Sequence, residues 1–255
     1  MINNLYYFFD KIVCINLRHR KDRYNSAKNL FDKLNIPNVE FYIADKSSID
    51  GRYGCFESHI NVIKKAYIQD CNNILIFEDD IRPSIFYNIN LLKDSIEFMK
   101  NNEYDIFYLG YFPFNKVNSI YLSSEKITKN IISYNPFATH AYCLNRISMK
   151  KILDNYKIYI GKIHIDKFYT YNYIFKNYCI TPMIFEQIYC SPIDNSIHGI
   201  DEIFCRKIQC FAGDYLNLGS RCSYFIYLLN NYKIIFIIIM IIILYYSIRF
   251  VYLLN

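Results

Sequence analysis

Short apolar runs alternate with one-sided helical patterns from the N-terminus to about residue 111. Four runs of strand length predict strands at residues 11–17 (KIVCINL), 39–45 (VEFYIAD), 73–80 (NILIFEDD) and 104–111 (YDIFYLGY). Between them, apolar side chains recur every three or four residues, which predicts helices over 24–34, 56–67 and 85–99. This alternation is typical of an α/β fold built on a sheet.

Beyond residue 111 the pattern is looser. It predicts a polar hairpin or excursion at 115–130, a strand at 140–146 that runs into a helix at 146–156, and a further strand at 178–188. Residues 191–223 are polar and irregular and support no assignment.

The C-terminal part of the chain is hydrophobic. Residues 234–248 (IIFIIIMIIILYYSI) carry no charge, and apolar segments on both sides lengthen the run toward the roughly 20 residues that span a bilayer core. Lys233 and Arg249 could reach opposite interfaces. A buried core helix is the alternative, but it would need surrounding structure. We therefore predict a domain of residues 1–223 and a membrane anchor of residues 224–255, tail-anchored with the domain facing the cytosol.

Composition excludes several classes of protein. The chain has 255 residues, which suffices for one substantial domain, and 53% of them are hydrophobic and 20% charged, which excludes a disordered chain. The net charge of +6 comes from scattered Lys and Arg, so we expect no nucleic-acid partner. None of the nine cysteines forms a C-x-x-C pair, which argues against a zinc ribbon and favours free thiols in a reducing compartment.

Three consecutive carboxylates follow the third predicted strand. Ligands of open α/β sheets bind beyond the carboxyl ends of the strands, where Glu78, Asp79 and Asp80 lie. Because strand side chains alternate between faces, Glu78 and Asp80 can share one face while Asp79 turns to a backbone or arginine partner. Two carboxylates on one face suit Mg²⁺ or Mn²⁺. A merely solvated acidic loop is the alternative.

Two further motifs precede this cluster. The segment 15–23 (INLRHRKDR) places cations at a predicted helix N-terminus, where an anionic ligand is favoured, although a solvated helix start would look the same. In the segment 51–60 (GRYGCFESHI), Gly51 and Gly54 suggest unusual backbone angles or close ligand approach. For His59 taken alone, a structural role in bonding nearby backbone is favoured over catalysis.

Together these segments resemble glycosyltransferase family 25, which includes lipooligosaccharide galactosyltransferases and collagen hydroxylysine galactosyltransferases. The family's first-strand motif is matched by Ile15, Asn16, Leu17, Arg20, Asp22 and Arg23. Its glycine and histidine motif is matched by Gly51, Gly54, Cys55, Ser58 and His59, and its acidic strand end by Ile74, Leu75, Glu78, Asp79 and Asp80. Lys46 departs from the pattern, because the family has a glycine after the aspartate that corresponds to Asp45.

The resemblance implies a GT-A-like, Rossmann-type mixed sheet flanked by helices. It also implies a nucleotide-diphosphosugar donor and a divalent metal held by Asp80 first and Glu78 second. The donor-binding residues that it implies are Leu17, Arg20, Arg23, Asp45, His59 and Asp79. Asp45 is then a partner of the ribose or the base.

The family is described as inverting, which requires a general base for the acceptor hydroxyl. We assign this role to Asp166, in the segment IHID at 163–166, with capping of the helix that follows as the alternative. His198 is a further candidate metal ligand.

From this resemblance we expect a membrane-anchored, Mn²⁺- or Mg²⁺-dependent glycosyltransferase. It would transfer galactose or glucose from a UDP-sugar to a hydroxyl of a glycan or protein. One alternative is a degenerate member that binds nucleotide-sugar or glycan as a membrane-tethered scaffold. Another is a metal-dependent nucleotidyl or phosphoryl transferase with the same acidic strand end.

Overall fold

A computed structural model of the protein describes residues 5–112, 124–171, 174–188, 216–217, 220–225, 227–228, 231–232 and 243. Its strands are β1 (Lys11–Leu17), β2 (Val39–Ala44), β3 (Asn73–Glu78), β4 (Ile81–Pro83), β5 (Ile106–Phe112), β6 (Glu125–Lys126), β7 (Ile131–Ser133), β8 (Phe137–Asn145), β9 (Asn177–Ile180) and β10 (Phe185–Gln187). Its α-helices are α1 (Lys21–Lys33), α2 (Gly51–Ile68), α3 (Ile89–Asn101), α4 (Arg146–Asn155) and α5 (Ile165–Tyr171). Leu5–Phe8 and Tyr156–Ile158 form 3₁₀ turns.

Eight strands form one mixed sheet in the order β2-β1-β3-β8-β5-β9-β7-β6. Strand β1 is parallel to both β2 and β3, whereas β8 lies antiparallel between β3 and β5. Strands β4 and β10 form a separate antiparallel pair. The mixed sheet with flanking helices confirms the predicted α/β class.

Strand β3 is buried on both faces of the sheet. Ile74 and Ile76 pack with residues of α2, α4 and α5 on one face. Leu75 and Phe77 pack with residues of α1 and α3 on the other. The continuous apolar run of β3 follows from this double burial, because a strand covered by helices on both faces has no solvated side.

Several predicted boundaries differ from the structure by a few residues, and two of these differences lie next to the acidic segment. Strand β3 ends at Glu78, the last residue whose backbone registers with β1, and Asp79 and Asp80 form the turn that leads into β4. The following helix begins at Ile89 because the Asn88 side chain caps it, accepting a hydrogen bond from the Asn90 amide at 2.9 Å.

The two glycines before His59 lie inside the first turn of α2, so the expected unusual backbone angles are absent there. The Asp50 side chain caps this helix and accepts a hydrogen bond from the Tyr53 amide at 2.8 Å. A Cβ atom at Gly54 would lie 2.8 Å from the Ser47 Cβ. The close approach at Gly54 therefore comes from the protein's own loop.

The apolar segment 178–188, predicted as one strand, contains parts of two. Strand β9 ends at Ile180 and β10 begins at Phe185, with Pro182 between them. Proline has no amide hydrogen to donate to a ladder, which is consistent with the break. The described part of the hairpin or excursion predicted at 115–130 contains β6, which pairs with β7 just beyond that range.

Contacts with the domain continue past the predicted boundary at residue 223. The Ser223 hydroxyl accepts a hydrogen bond from the Met183 amide at 2.8 Å, and the Tyr224 ring stacks on Phe86. Asn231 donates a hydrogen bond to the Lys129 carbonyl at 2.8 Å. Among the residues that the structure describes, no helix is long and apolar enough to cross a membrane. The predicted span of 234–248 lies outside them, apart from residue 243.

We predict that Ile76→Ala lowers the free energy of unfolding by about 2–5 kcal/mol, because the side chain is fully buried in the central strand. Urea denaturation followed by circular dichroism measures the change. Ile147→Ala, at a helical position that is 78% exposed, is the matched control and should change the value by less than about 0.5 kcal/mol. Equal losses in both variants would contradict the two-sided burial of β3.

Candidate active site

A cavity of about 420 Å³ opens at the carboxyl ends of β1, β2 and β3. Strands β2 and β3 lie on opposite sides of β1 in the sheet, so the direction in which strands are added reverses at β1. Open α/β sheets bind their ligands at such reversal points. The first residues of β8 and the end of β10 complete the wall with Ala138 and Gln187.

Glu78 lies at the floor of this cavity, at the end of β3. Its Oε1 atom accepts a hydrogen bond of 2.7 Å from the Thr139 hydroxyl and lies 3.4 Å from the Nε2 atom of His59. The Nδ1 atom of His59 is 2.8 Å from the hydroxyl of Tyr142. His59 therefore bonds a strand β8 side chain, whereas a bond to nearby backbone was expected.

Asp79 is held away from Glu78 by two donors. The Asn16 amide donates a hydrogen bond of 2.6 Å to one carboxylate oxygen, and Arg23 donates one of 3.0 Å to the other. Asp79 thus has an arginine partner, one of the two kinds that the sequence suggested.

Asp80 is less well satisfied. Its Oδ2 atom accepts hydrogen bonds from Arg23 at 3.2 Å and from Gln187 at 3.1 Å. Its Oδ1 atom is buried and has no hydrogen-bond partner among the described residues. An unsatisfied carboxylate oxygen in a buried position is costly, so this atom is suited to a ligand that the protein binds.

The three carboxylates differ in their pKa values for physical reasons. Burial and the negative charge of Glu78 raise the pKa of Asp80 to about 7. Burial also raises the pKa of Asp79, although Arg23 opposes the shift. Burial disfavours ionisation of Glu78, but His59 and Thr139 outweigh it and hold its pKa below the usual value. A bound cation would relieve the repulsion that Asp80 experiences.

The residues fit a hard divalent cation. Glu78 and Asp80 offer carboxylate oxygens at one end of the cavity, and the Oδ1 atom of Asp80 has no hydrogen bond within the described part of the chain. Oxygen ligands of this kind are preferred by Mg²⁺ and Mn²⁺.

Most predicted donor-binding residues line the cavity. These are Leu17, Arg23, Asp45, His59 and Asp79. Arg20 does not line it: the residue is buried, and its guanidinium forms an ion pair with Asp22 at 2.7 Å. Its backbone carbonyl accepts a hydrogen bond from Asn16, so Arg20 stabilises the loop after β1 and forms no part of the cavity wall.

Asp166 also lines the cavity. Its carboxylate accepts a hydrogen bond of 3.3 Å from the Ala138 amide and one of 2.7 Å from the Lys167 amide. Helix α5 begins one residue earlier, so Asp166 lies inside the first turn and satisfies an amide there. His198 lies outside the described residues.

Sequence analysis did not identify three residues that contact the site: Thr139, Tyr142 and Gln187. No motif marks them, and they approach the acidic turn only through the antiparallel pairing of β8 with β3 and through β10. A polar residue at the start of an otherwise apolar strand was the only signal for Thr139.

We predict that Asp80→Asn stabilises the metal-free protein at pH 8 by about 1–3 kcal/mol. The folded-state pKa of about 7 lies above the ordinary aspartate value, so ionisation costs folding free energy as pH rises from about 4 through 7. The gain should therefore shrink as pH falls toward 4. Urea denaturation in the presence of a chelator measures it.

Asp154→Asn is the matched control, because that carboxylate forms an exposed ion pair with Lys150 and should contribute less than about 1 kcal/mol at any pH. A loss of stability in Asp80→Asn that is the same at pH 5 and pH 8 would show that its hydrogen bonds outweigh the repulsion.

Comparison with known proteins finds a family that is similar to the segment of the chain that contains most of this site. Residues 44–169 match the model of glycosyltransferase family 25 (LPS biosynthesis protein). The chain is 25% identical to a glycosyltransferase 25 family member of Drosophila melanogaster, over 40% of this chain and 21% of the relative. It is 24% identical to one of Drosophila pseudoobscura pseudoobscura, over 40% of this chain and 20% of the relative. The chain thus spans about a fifth of the length of these relatives.

Among solved structures, the chain is similar to a glycosyltransferase involved in the glycosylation of the major capsid of PBCV-1. The match covers 71% of this chain and 95% of that one, with 13% identity and a TM-score of 0.45. The identity and the TM-score are too low to inform function. The matched segment extends from the end of β2 to α5 and contains Asp45, His59, the acidic turn and Asp166. This segment, just under half of the chain, is similar to glycosyltransferase family 25.

Proposed function

We propose that the protein transfers a hexosyl group, galactose or glucose, from a UDP-sugar to a hydroxyl of a glycan or protein, with inversion. The observation that carries the proposal is the acidic turn at the carboxyl end of β3. There, Asp80 and Glu78 both line the cavity, and one buried oxygen of Asp80 has no hydrogen-bond partner in the described structure. Both residues belong to the segment that matches glycosyltransferase family 25.

Asp80 and Glu78 would hold the divalent cation, Mn²⁺ or Mg²⁺. When bound, such a cation offsets the negative charge that develops on a departing nucleotide diphosphate. Arg23 donates to both Asp79 and Asp80, and this shared contact fixes the direction in which the two carboxylates point. Asp79 is therefore a positioning residue in this scheme.

The nucleoside would bind over the ends of β1 and β2. Leu17 supplies an apolar contact, and Asp45 supplies a hydrogen-bond acceptor for the ribose or the base. Arg18 forms an ion pair with Asp45 and lowers the pKa of its carboxyl, so the acceptor is ionised at neutral pH. Because both side chains are exposed, this pair is available to an entering ligand.

Asp166 would accept the proton of the attacking hydroxyl. Inversion requires the acceptor to approach from the side opposite the leaving group, and a base on that side contributes typically 10²–10⁴-fold to the rate. The amides of Ala138 and Lys167 orient the carboxylate without neutralising it.

The test is UDP release by the full-length protein from UDP-galactose and UDP-glucose with Mn²⁺ and a panel of glycan and protein acceptors. We predict that Asp80→Ala lowers the rate at least about 100-fold. Asp154→Ala, remote from the cavity, should retain the rate of the unmodified protein. Absence of binding of every nucleotide-sugar would reject the proposal. Binding without turnover would favour the scaffold alternative, which Lys46 in the cavity wall also favours.

The role of Asp166 has its own prediction. Asp166→Asn should lower kcat by about 10²–10⁴-fold while the dissociation constant of the donor, measured by calorimetry, stays within a few-fold. Asparagine retains an oxygen for the Lys167 amide, so a purely structural role predicts near-normal kcat. A normal rate in this variant would remove Asp166 from the mechanism.

We also propose that the hydrophobic tail anchors the protein to a membrane, with the domain on the cytosolic side. Residues 234–248 carry no charge. Because Tyr224 and Asn231 contact the domain, the deletion that tests this should begin at residue 233. The shortened protein should leave the membrane fraction for the soluble one. Full-length protein that is soluble without detergent would contradict the anchor.

A further inference from the structure

We propose that Cys55, His59 and Glu78 form a second metal site, which takes a borderline-soft divalent ion such as Zn²⁺ or Co²⁺. The site is distinct from the pair of oxygen ligands at Glu78 and Asp80, although it shares Glu78. It does not depend on the proposed transferase function.

The three side chains already lie close to the geometry that such an ion requires. One ligand atom of each lies within 4.8 Å of the others, and the Nε2 atom of His59 is 3.4 Å from the Oε1 atom of Glu78. In a tetrahedral site with bonds of about 2.0–2.3 Å, ligand atoms are separated by about 3.3–3.8 Å. The imidazole and the carboxylate therefore have the required separation, and the Cys55 Sγ atom, within 4.8 Å of both, would have to move closer to complete the set.

Local structure explains how the three residues meet. Cys55 and His59 are four residues apart on α2, so they lie on the same face of the helix. That face meets the end of β3, whose last residue is Glu78. Two ligands from one helix and one from a strand form a rigid set, because both elements are anchored in the hydrophobic core.

An independent observation on His59 indicates a ligand. The residue is 1% exposed, yet its Nε2 atom makes no hydrogen bond to any described residue. Its Nδ1 atom is 2.8 Å from the Tyr142 hydroxyl, which lies 3.4 Å from the Tyr169 hydroxyl. With Nδ1 bonded to Tyr142, Nε2 is the ring nitrogen that faces Glu78, and it can offer its lone pair to a bound ion when Nδ1 carries the ring proton. Metal-bound histidines are oriented by a partner of this kind on the other ring nitrogen.

The donor set decides the class of metal. Thiolate and imidazole ligands favour Zn²⁺ and Co²⁺, whereas Mg²⁺ prefers a full set of oxygen ligands. Cys55 and Glu78 both line the cavity, so an ion bound there would keep a position open to solvent or to a ligand in the cavity. Because Glu78 belongs to both sites, the softer ion would compete with Mn²⁺ for this carboxylate.

The experiment titrates full-length, chelator-treated protein with Co²⁺ and records absorption. A cysteine ligand gives a thiolate-to-cobalt charge-transfer band in the near ultraviolet, and added Zn²⁺ should remove it. Cys55→Ser should abolish the band, and Tyr142→Phe should weaken cobalt binding by about 10–100-fold through the ring orientation of His59.

Cys222→Ser is the matched control, since Cys222 lies outside the set of three and its loss should leave the band unchanged. Circular dichroism of each variant verifies folding. The absence of a band in the unmodified protein, or its persistence in Cys55→Ser, would overturn the proposal.

Asp80→Asn separates this site from the proposed function. The variant should keep the cobalt band, because Asp80 supplies none of the three ligands, while it loses Mn²⁺-dependent UDP release. The titration contains no nucleotide-sugar, so a failure of the transferase proposal leaves its outcome unaffected. Loss of the band in Asp80→Asn would show that Asp80 helps to bind the ion that Cys55 ligates, which would contradict two distinct sites.

Discussion

Repulsion among three adjoining carboxylates is the constraint around which this end of the sheet is organised. Glu78, Asp79 and Asp80 lie where burial weakens the screening of charge, so each requires its own compensation. Asp79 receives Asn16 and Arg23, and Glu78 receives Thr139 and the nearby His59 ring. Only Asp80 retains a buried oxygen with no hydrogen bond in the described structure. Among the three carboxylates, the Oδ1 atom of Asp80 is therefore the buried oxygen that lacks a compensating donor in the described structure. The proposed cation would bind at an atom of this kind.

The rest of the fold holds this arrangement in place. Strand β3 is packed on both faces, so the backbone that delivers the acids cannot easily shift. The reversal of strand order around β1 leaves a crevice above them, and the first turn of α1 supplies Arg23 to its wall. Stability lost to the buried charges is offset by core packing a few residues away along the same strand. This is the arrangement expected where function requires locally unfavourable electrostatics.

The first half of the fold and the acidic turn could be predicted from short stretches of the sequence. Apolar runs predicted β1, β2 and β3, and the three consecutive acids predicted the position of the cavity. Both features can be recognised within a few neighbouring residues. Thr139, Tyr142 and Gln187 were missed because their roles depend on pairing between distant strands. Arg20 and Arg23 look equivalent in sequence. Arg20 directly precedes α1 and pairs with Asp22, whereas Arg23 lies in the first turn of α1 and pairs with Asp79.

The pairing of the acidic turn with β10 has a consequence for the order of folding. The Asp80 carbonyl accepts a hydrogen bond from the Ile188 amide at 2.6 Å, and Arg82 forms an ion pair with the buried Glu186. These contacts join residues about a hundred positions apart, so loop closure must precede them. During synthesis from the N-terminus, β1 and β3 can pair early, yet the acidic turn gains its last partners only after residue 188 has emerged. An incomplete chain that ends before residue 186 therefore lacks these contacts to the acidic turn and β4.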